Sequence, residues 1–226
     1  MAISYESLLP EILPMVVGCS DTLIVNSIRA AVVELCEKTN VYQAELDPLT
    51  TVANIYEYDL EAPSGTAVQK VLWVSHQGKD LEPINTALLE QRIPKWREQN
   101  GVPEYFVQQS SSIVWLAPIP TATAAGSTIV RAVLKPTHTS TACDNDVMND
   151  YRDAIVNGAL FRLLRIPNKD WTDLAGAGIY GNLFNESLVT AERRARNADT
   201  GVSRKVNYGG IRSKTRHGKR GWRGGY

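Results

Sequence analysis

The sequence has little cysteine or histidine and no spacing that would put either to work. Its three cysteines, Cys19, Cys36 and Cys143, are an odd set without a CxxC pair. That excludes a disulfide framework or a zinc knuckle and leaves each as a small buried hydrophobe. His76, His138 and His217 stand singly, so no HExxH or histidine–carboxylate constellation forms, and neither a metal nor a cofactor is expected. Long apolar runs are missing as well. Pro14 and Gly18 break the run from Ile12 to Cys19, and the opening residues carry no basic n-region, so no membrane span or signal peptide is expected. No GxSxG elbow, Cys–His pair or paired carboxylates can be singled out, which speaks against an enzyme.

One further absence is local. No aspartate or glutamate follows Asp199, whereas Arg204, Lys205, Arg212, Lys214, Arg216, Lys219, Arg220 and Arg223 all do. The chain of 226 residues balances 24 basic against 24 acidic side chains, and with those eight cations set apart, residues 1–199 keep 16 against 24. A body of about −8 therefore carries a tail of about +8, and the zero total conceals a dipolar molecule. Only Val206, Ile211 and the aromatic residues Tyr208, Trp222 and Tyr226 could offset the entropy of ordering this Gly-rich segment. It is expected to fold only against a partner.

Three readings of the tail stay open. It is a solvated end, a nucleic-acid arm, or an anchor into an acidic protein surface. Cations interleaved with aromatics suit phosphate neutralisation and base stacking. They equally suit threading between protein subunits, where arginine forks a carboxylate and tryptophan fills a pocket. A phosphate loop is excluded, because Ser213 stands where Gly218-Lys219 would need a preceding glycine and Arg220 stands where Ser or Thr is required.

Two further motifs invite a chemical reading. Gly176, Gly178 and Gly181 match GxGxxG, but a helical pattern precedes them in place of a strand, so close helix packing or a kink is expected. Asp144, Asp146 and Asp150 suggest a calcium loop. Asn149 occupies the position needing glycine and the closing glutamate is missing, so helix capping is the better account.

Helical periodicity predicts an amphipathic helix from Asp21 to Lys38, with Ser20 or Asp21 as N-cap, after a short proline-limited helix between Tyr5 and Val17. From Val41 to Cys143 short β-branched and aromatic runs take over: Val52 to Leu60, Ala67 to Gln77, Lys79 to Leu81, Tyr105 to Gln109, Ile113 to Leu116 and Thr128 to Leu134. Gln77-Gly78 reads as a hairpin turn, Ala117 to Pro120 as a strand exit, and Thr86 to Glu98 as a helix that Pro94 kinks or divides. Helical period returns with Ile155, Ala159, Leu160 and Leu163, closed by Pro167. A last helix is expected from near Asn168 or Asp170, with Ala177, Tyr180, Phe184, Leu188 and Ala191 on one stripe and arginines at its end. The expected fold class is α+β: a helical bundle from residues 1–40 and 144–199, an inserted antiparallel β domain over 41–143, and a basic tail over 200–226.

Ile3-Ser4-Tyr5, Leu8 to Pro14, Gly18-Cys19 and Ala30 to Glu37 together resemble the head-to-tail adaptor, or connector, proteins of tailed bacteriophages. Gly101 to Phe106, Leu116 to Pro120, Val133 to Pro136, Tyr151 to Ile155 and Gly158 to Leu160 extend the resemblance through the β insert and return helix. It implies a structural virion protein at the head–tail junction, assembled in the host cytoplasm. Copies, commonly twelve, would form a ring beneath the portal protein, extend the DNA channel used for ejection, and dock nozzle or fibre proteins. The C-terminal segment would grip the portal, with DNA binding by the same basic residues as the alternative.

Overall fold

Tyr5 ties the start of the chain to its middle. Its ring is fully buried and its hydroxyl lies 2.9 Å from Ser140 Oγ, while strand β1 (Ala2–Ser4) pairs antiparallel with residues 142–144. Two 3-10 turns (Tyr5–Leu8 and Leu13–Met15) flank helix α1 (Leu9–Ile12). Pro10 and Pro14 sit in first turns, where a missing N–H costs nothing. Helix α2 (Asp21–Thr39) buries Ile24, Ile28, Ala31, Val32 and Leu35 as the period required. Ser20 occupies its N-cap position without a side-chain bond, and Asn40 closes it in the left-handed region at φ 55°. The structure, a computed structural model, describes residues 2–197, so every tail residue named above lies outside the described residues.

The β-rich stretch runs through β2 (Gln43–Glu45), β3 (Leu49–Thr51), β4 (Glu57–Asp59), β5 (Thr66–His76), β6 (Lys79–Asp80) and β7 (Glu82–Pro83). Of the two outcomes expected at Pro94, division is the one found: helix α3 (Thr86–Arg92) and a 3-10 turn (Trp96–Glu98) stand on either side of it. Then come β8 (Asn100–Gly101), β9 (Tyr105–Gln108), β10 (Ile113–Ala117), β11 (Ile119–Pro120), β12 (Ala124–Pro136) and β13 (Ala142–Asp144). A five-stranded sheet has the order β2-β12-β5-β6, with β3 also on β12, and a four-stranded sheet has the order β4-β10-β9-β7. Most pairs are antiparallel; β7–β9 and β8–β11 are parallel, which the sequence did not announce. Gln77 and Gly78 both take positive φ, as a two-residue hairpin between β5 and β6 demands.

Strand alternation divides the apolar residues between two cores. From β10 and β9, Val114, Leu116 and Phe106 join Val68, Val74, Val130 and Leu134 of the larger sheet, while Trp115, Ala117 and Val107 turn to Leu89 and Trp96 on the opposite face. A third core is helical. Helices α4 (Asn145–Asp150), α5 (Arg152–Leu163) and α6 (Leu174–Asn197) share it with α2, the N-terminal turns and Cys143. Lys135 Nζ reaches Glu37 Oε1 at 2.6 Å and Gln69 Nε2 donates to the Glu37 carbonyl at 2.8 Å, fastening α2 to the larger sheet.

Helix α6 starts at Leu174, later than the sequence suggested. Asn168 takes a positive φ of 58°, and Thr172 Oγ1 donates to the Ile166 carbonyl at 2.6 Å while accepting from the Lys169 N–H. Those bonds hold 166–172 as a turn. Asp173 is then the cap, its Oδ1 accepting from the N–H groups of Ala175 and Gly176 at 3.0 Å.

Candidate assembly surfaces

The packing of α6 settles the glycine motif. A Cβ at Gly181 would stand 2.8 Å from the Phe161 ring and one at Gly176 would meet the Asp173 carboxylate, whereas Gly178 faces open space. Gly181 thus serves the close contact of α6 with α5, Gly176 leaves room for the capping Asp173, Gly178 serves neither, and no strand leads into them. Gly158 on α5 works as Gly181 does, between Phe184 and Ala31. Arg162 bridges this contact, donating to the Gly158 carbonyl at 2.6 Å and pairing with Glu34 of α2.

Beside this packed seam lies an apolar groove of about 490 Å³, lined by Met15, Leu164, Trp171, Ile179, Tyr180 and Leu183. Its charged lining residues are Asp170 and Asp173. Pro14 holds the 3-10 turn that presents Met15, and α6 presents Ile179 and Leu183 one turn apart, off its buried stripe. The surface is open: Ile179 is 61%, Met15 49% and Leu183 42% exposed, and Val17 and Leu174 close by in sequence are more exposed still. Sequence reasoning picked out the buried stripe of α6 and missed this second one. Its signal was the i, i+4 spacing of Ile179 and Leu183.

The other end of α6 meets acid. A cleft of about 430 Å³ is lined by Tyr42, Arg131, Asp144, Asp146, Asp150 and Arg194, among others. A groove of about 530 Å³ between α5 and α6 shares Asp150 and Arg194 with it and adds Asp153 and Glu186. Arg194 pairs with Asp150 at 2.9 Å. Asp144 Oδ2 accepts from the Asp146 N–H at 3.1 Å, so it caps α4 as the sequence suggested. Burial, with the Asp144 charge nearby, pushes the Tyr42 hydroxyl up to about 12, so it stays a neutral donor on this wall at physiological pH. Among the described residues no group of His, Cys, Asp and Glu is placed to hold a metal ion, and no helix is long and apolar enough to cross a membrane. All three cysteines are free and buried.

The surfaces along α6 are thus one apolar groove and two clefts lined by carboxylates. The model of the SU10 adaptor protein family matches residues 7–205. The chain belongs to that family. The SU10 adaptor match runs through the helices, the β-rich stretch and the α6 surfaces, and reaches only Arg204 and Lys205 of the tail cations. It agrees with the resemblance to phage head-to-tail adaptors carried by the sequence, and it makes this adaptor a structural protein of a phage virion. A comparison with curated proteins gave no match.

Proposed function

We propose that this adaptor joins the portal of a phage capsid to its tail, with copies, commonly twelve, forming a ring that prolongs the DNA channel. The family match over residues 7–205 carries the reading. Residues 1–40 and 144–199 would build the ring wall as a helical unit, and residues 41–143 would face nozzle or fibre proteins. An acidic body of about −8 suits a channel wall, since negative walls repel DNA and let it slide. The basic tail, with Arg204, Lys205, Arg212, Lys214, Arg216, Lys219, Arg220 and Arg223 among Tyr208, Trp222 and Tyr226, would grip the portal from each subunit. Once the body has docked, each tail searches at high effective concentration, so contacts that are weak singly add up around the ring.

The test is co-sedimentation with the portal of the same phage, comparing the full chain with one ending at Asp199. Attachment of the full chain and its loss on truncation are expected. Undiminished attachment of the shortened chain would remove the anchor from this reading. Retention of duplex DNA by the full chain, with no portal association by either form, would replace it with a virion nucleic-acid-binding role.

A further inference from the structure

We infer that the apolar groove beside α6 is a dock for the chain's own C-terminal segment, Lys219 to Tyr226, with Trp222 seated between Met15, Ile179 and Leu183. The docking does not rest on the adaptor reading; it concerns the protein before any partner arrives.

Three observations carry it. The first is chemical fit. The groove combines an aliphatic and aromatic floor with two lining carboxylates, Asp170 and Asp173. The segment Lys219-Arg220-Gly221-Trp222-Arg223 offers an indole with an arginine on either side and no acid. Arginine matches a carboxylate as a planar fork, and tryptophan gains most by leaving water. No Lys or Arg is among the lining residues, and Lys169 lies beside them with its Nζ 6.0 Å from the Trp171 ring centre.

Reach is the second. Ile179 and Asn197 are 18 residues apart on one helix, which is about 27 Å at the helical rise. Trp222 stands 25 positions beyond Asn197, and a Gly-rich chain of that length has a root-mean-square span of about 25–30 Å. The two lengths agree. Effective concentration is greatest when a linker's span matches the distance to be crossed, and it then lies in the millimolar range.

The third is the groove's exposure. Ile179, Met15 and Leu183 are 61%, 49% and 42% exposed and line one groove together. A contiguous apolar patch edged by polar residues marks a contact surface. Occupation by the tail would cover it and keep the cationic segment from straying onto other acidic surfaces until a competing partner draws it away.

The experiment uses the full chain with a benzophenone amino acid in place of Ile179, irradiated as an equal mixture of isotopically light and heavy protein. Placing the same group at exposed Val52, on the β-rich side, measures random encounter. Cross-links from position 179 to residues 219–226 of the same chain are expected, falling about tenfold in Trp222→Ala. Cross-links to that segment in the other isotope would overturn docking within one chain. Cross-links to the body of a second copy would make the groove a subunit contact instead, and a yield no higher than at position 52 would leave it without the tail. No portal is present, so the outcome is independent of portal attachment.

Discussion

Glycine at Gly178 and at Gly181 obeys opposite rules within one turn of α6. Alanine is about 1 kcal/mol better than glycine in an open helix interior, and a Cβ at Gly178 meets nothing within 4 Å. Gly178→Ala should therefore raise the thermal midpoint. At Gly158 a Cβ would come within 2.9 Å of Phe184 and 3.0 Å of Ala31, and overpacking of this kind costs about 1–3 kcal/mol. Gly158→Ala should lower the midpoint despite its better helix propensity, and a rise would show that Phe184 swings aside freely. His76 gives a pH signature at the same scale. It is buried with Nδ1 2.8 Å from Thr128 Oγ1, and burial holds its imidazole below the ordinary value of 6.5. The unfolded chain thus takes up a proton that the folded one refuses. The stability from neutral His76 is complete above about pH 6.5 and is lost as pH falls below it. Urea midpoints compared near pH 7.5 and near pH 5.5 should drop more for the natural protein than for His76→Gln. Equal drops would mean that His76 titrates as it does in the unfolded chain.

At the scale of elements, α6 depends on one side chain for its start. Asp173→Ala removes an acceptor for two N–H groups and should cost about 1 kcal/mol, read as a lower urea midpoint. The same substitution at Asp170, which lines the groove and lies four residues before the helix begins, should cost far less. The two aspartates look alike in sequence. They were distinguished by Thr172, whose hydroxyl reaches back to the Ile166 carbonyl, and by the left-handed Asn168; both are tertiary choices that periodicity does not encode. Where local chemistry decides, the sequence was legible: Gln77-Gly78 turns, Pro94 divides, Asp144 caps, and the 3.6-residue period of α2 places Ile24, Ile28 and Leu35 inside. Where distant partners decide, it was not. The parallel pairing of β7 with β9 depends on which short strands meet across long loops, and the two faces of β10 read as one apolar run until each face has its own core. The groove shared the same obscurity, because Met15 and Ile179 lie 164 positions apart and come together only through the helical core.

At the scale of the molecule, charge is partitioned by position along the chain: about −8 over residues 1–199 and about +8 beyond. One copy alone would feel little lasting benefit from that, since exposed ion pairs are worth about 0–1 kcal/mol and salt screens them. Repetition changes the result. If every subunit of a ring sends one tail to the portal, the attachment free energy is a sum over subunits and the binding constant is a product. Rings assembled from mixtures of the full chain and the chain ending at Asp199 should then lose portal attachment much faster than the truncated fraction rises. The loss should come earlier as salt increases from about 0.1 M to about 1 M, over which the screening length shrinks from about 10 Å to about 3 Å. Sedimentation of mixed rings across that series checks both trends. Attachment in direct proportion to the full-length fraction, at every salt concentration, would mean that subunits bind the portal independently and that the tails do not act together.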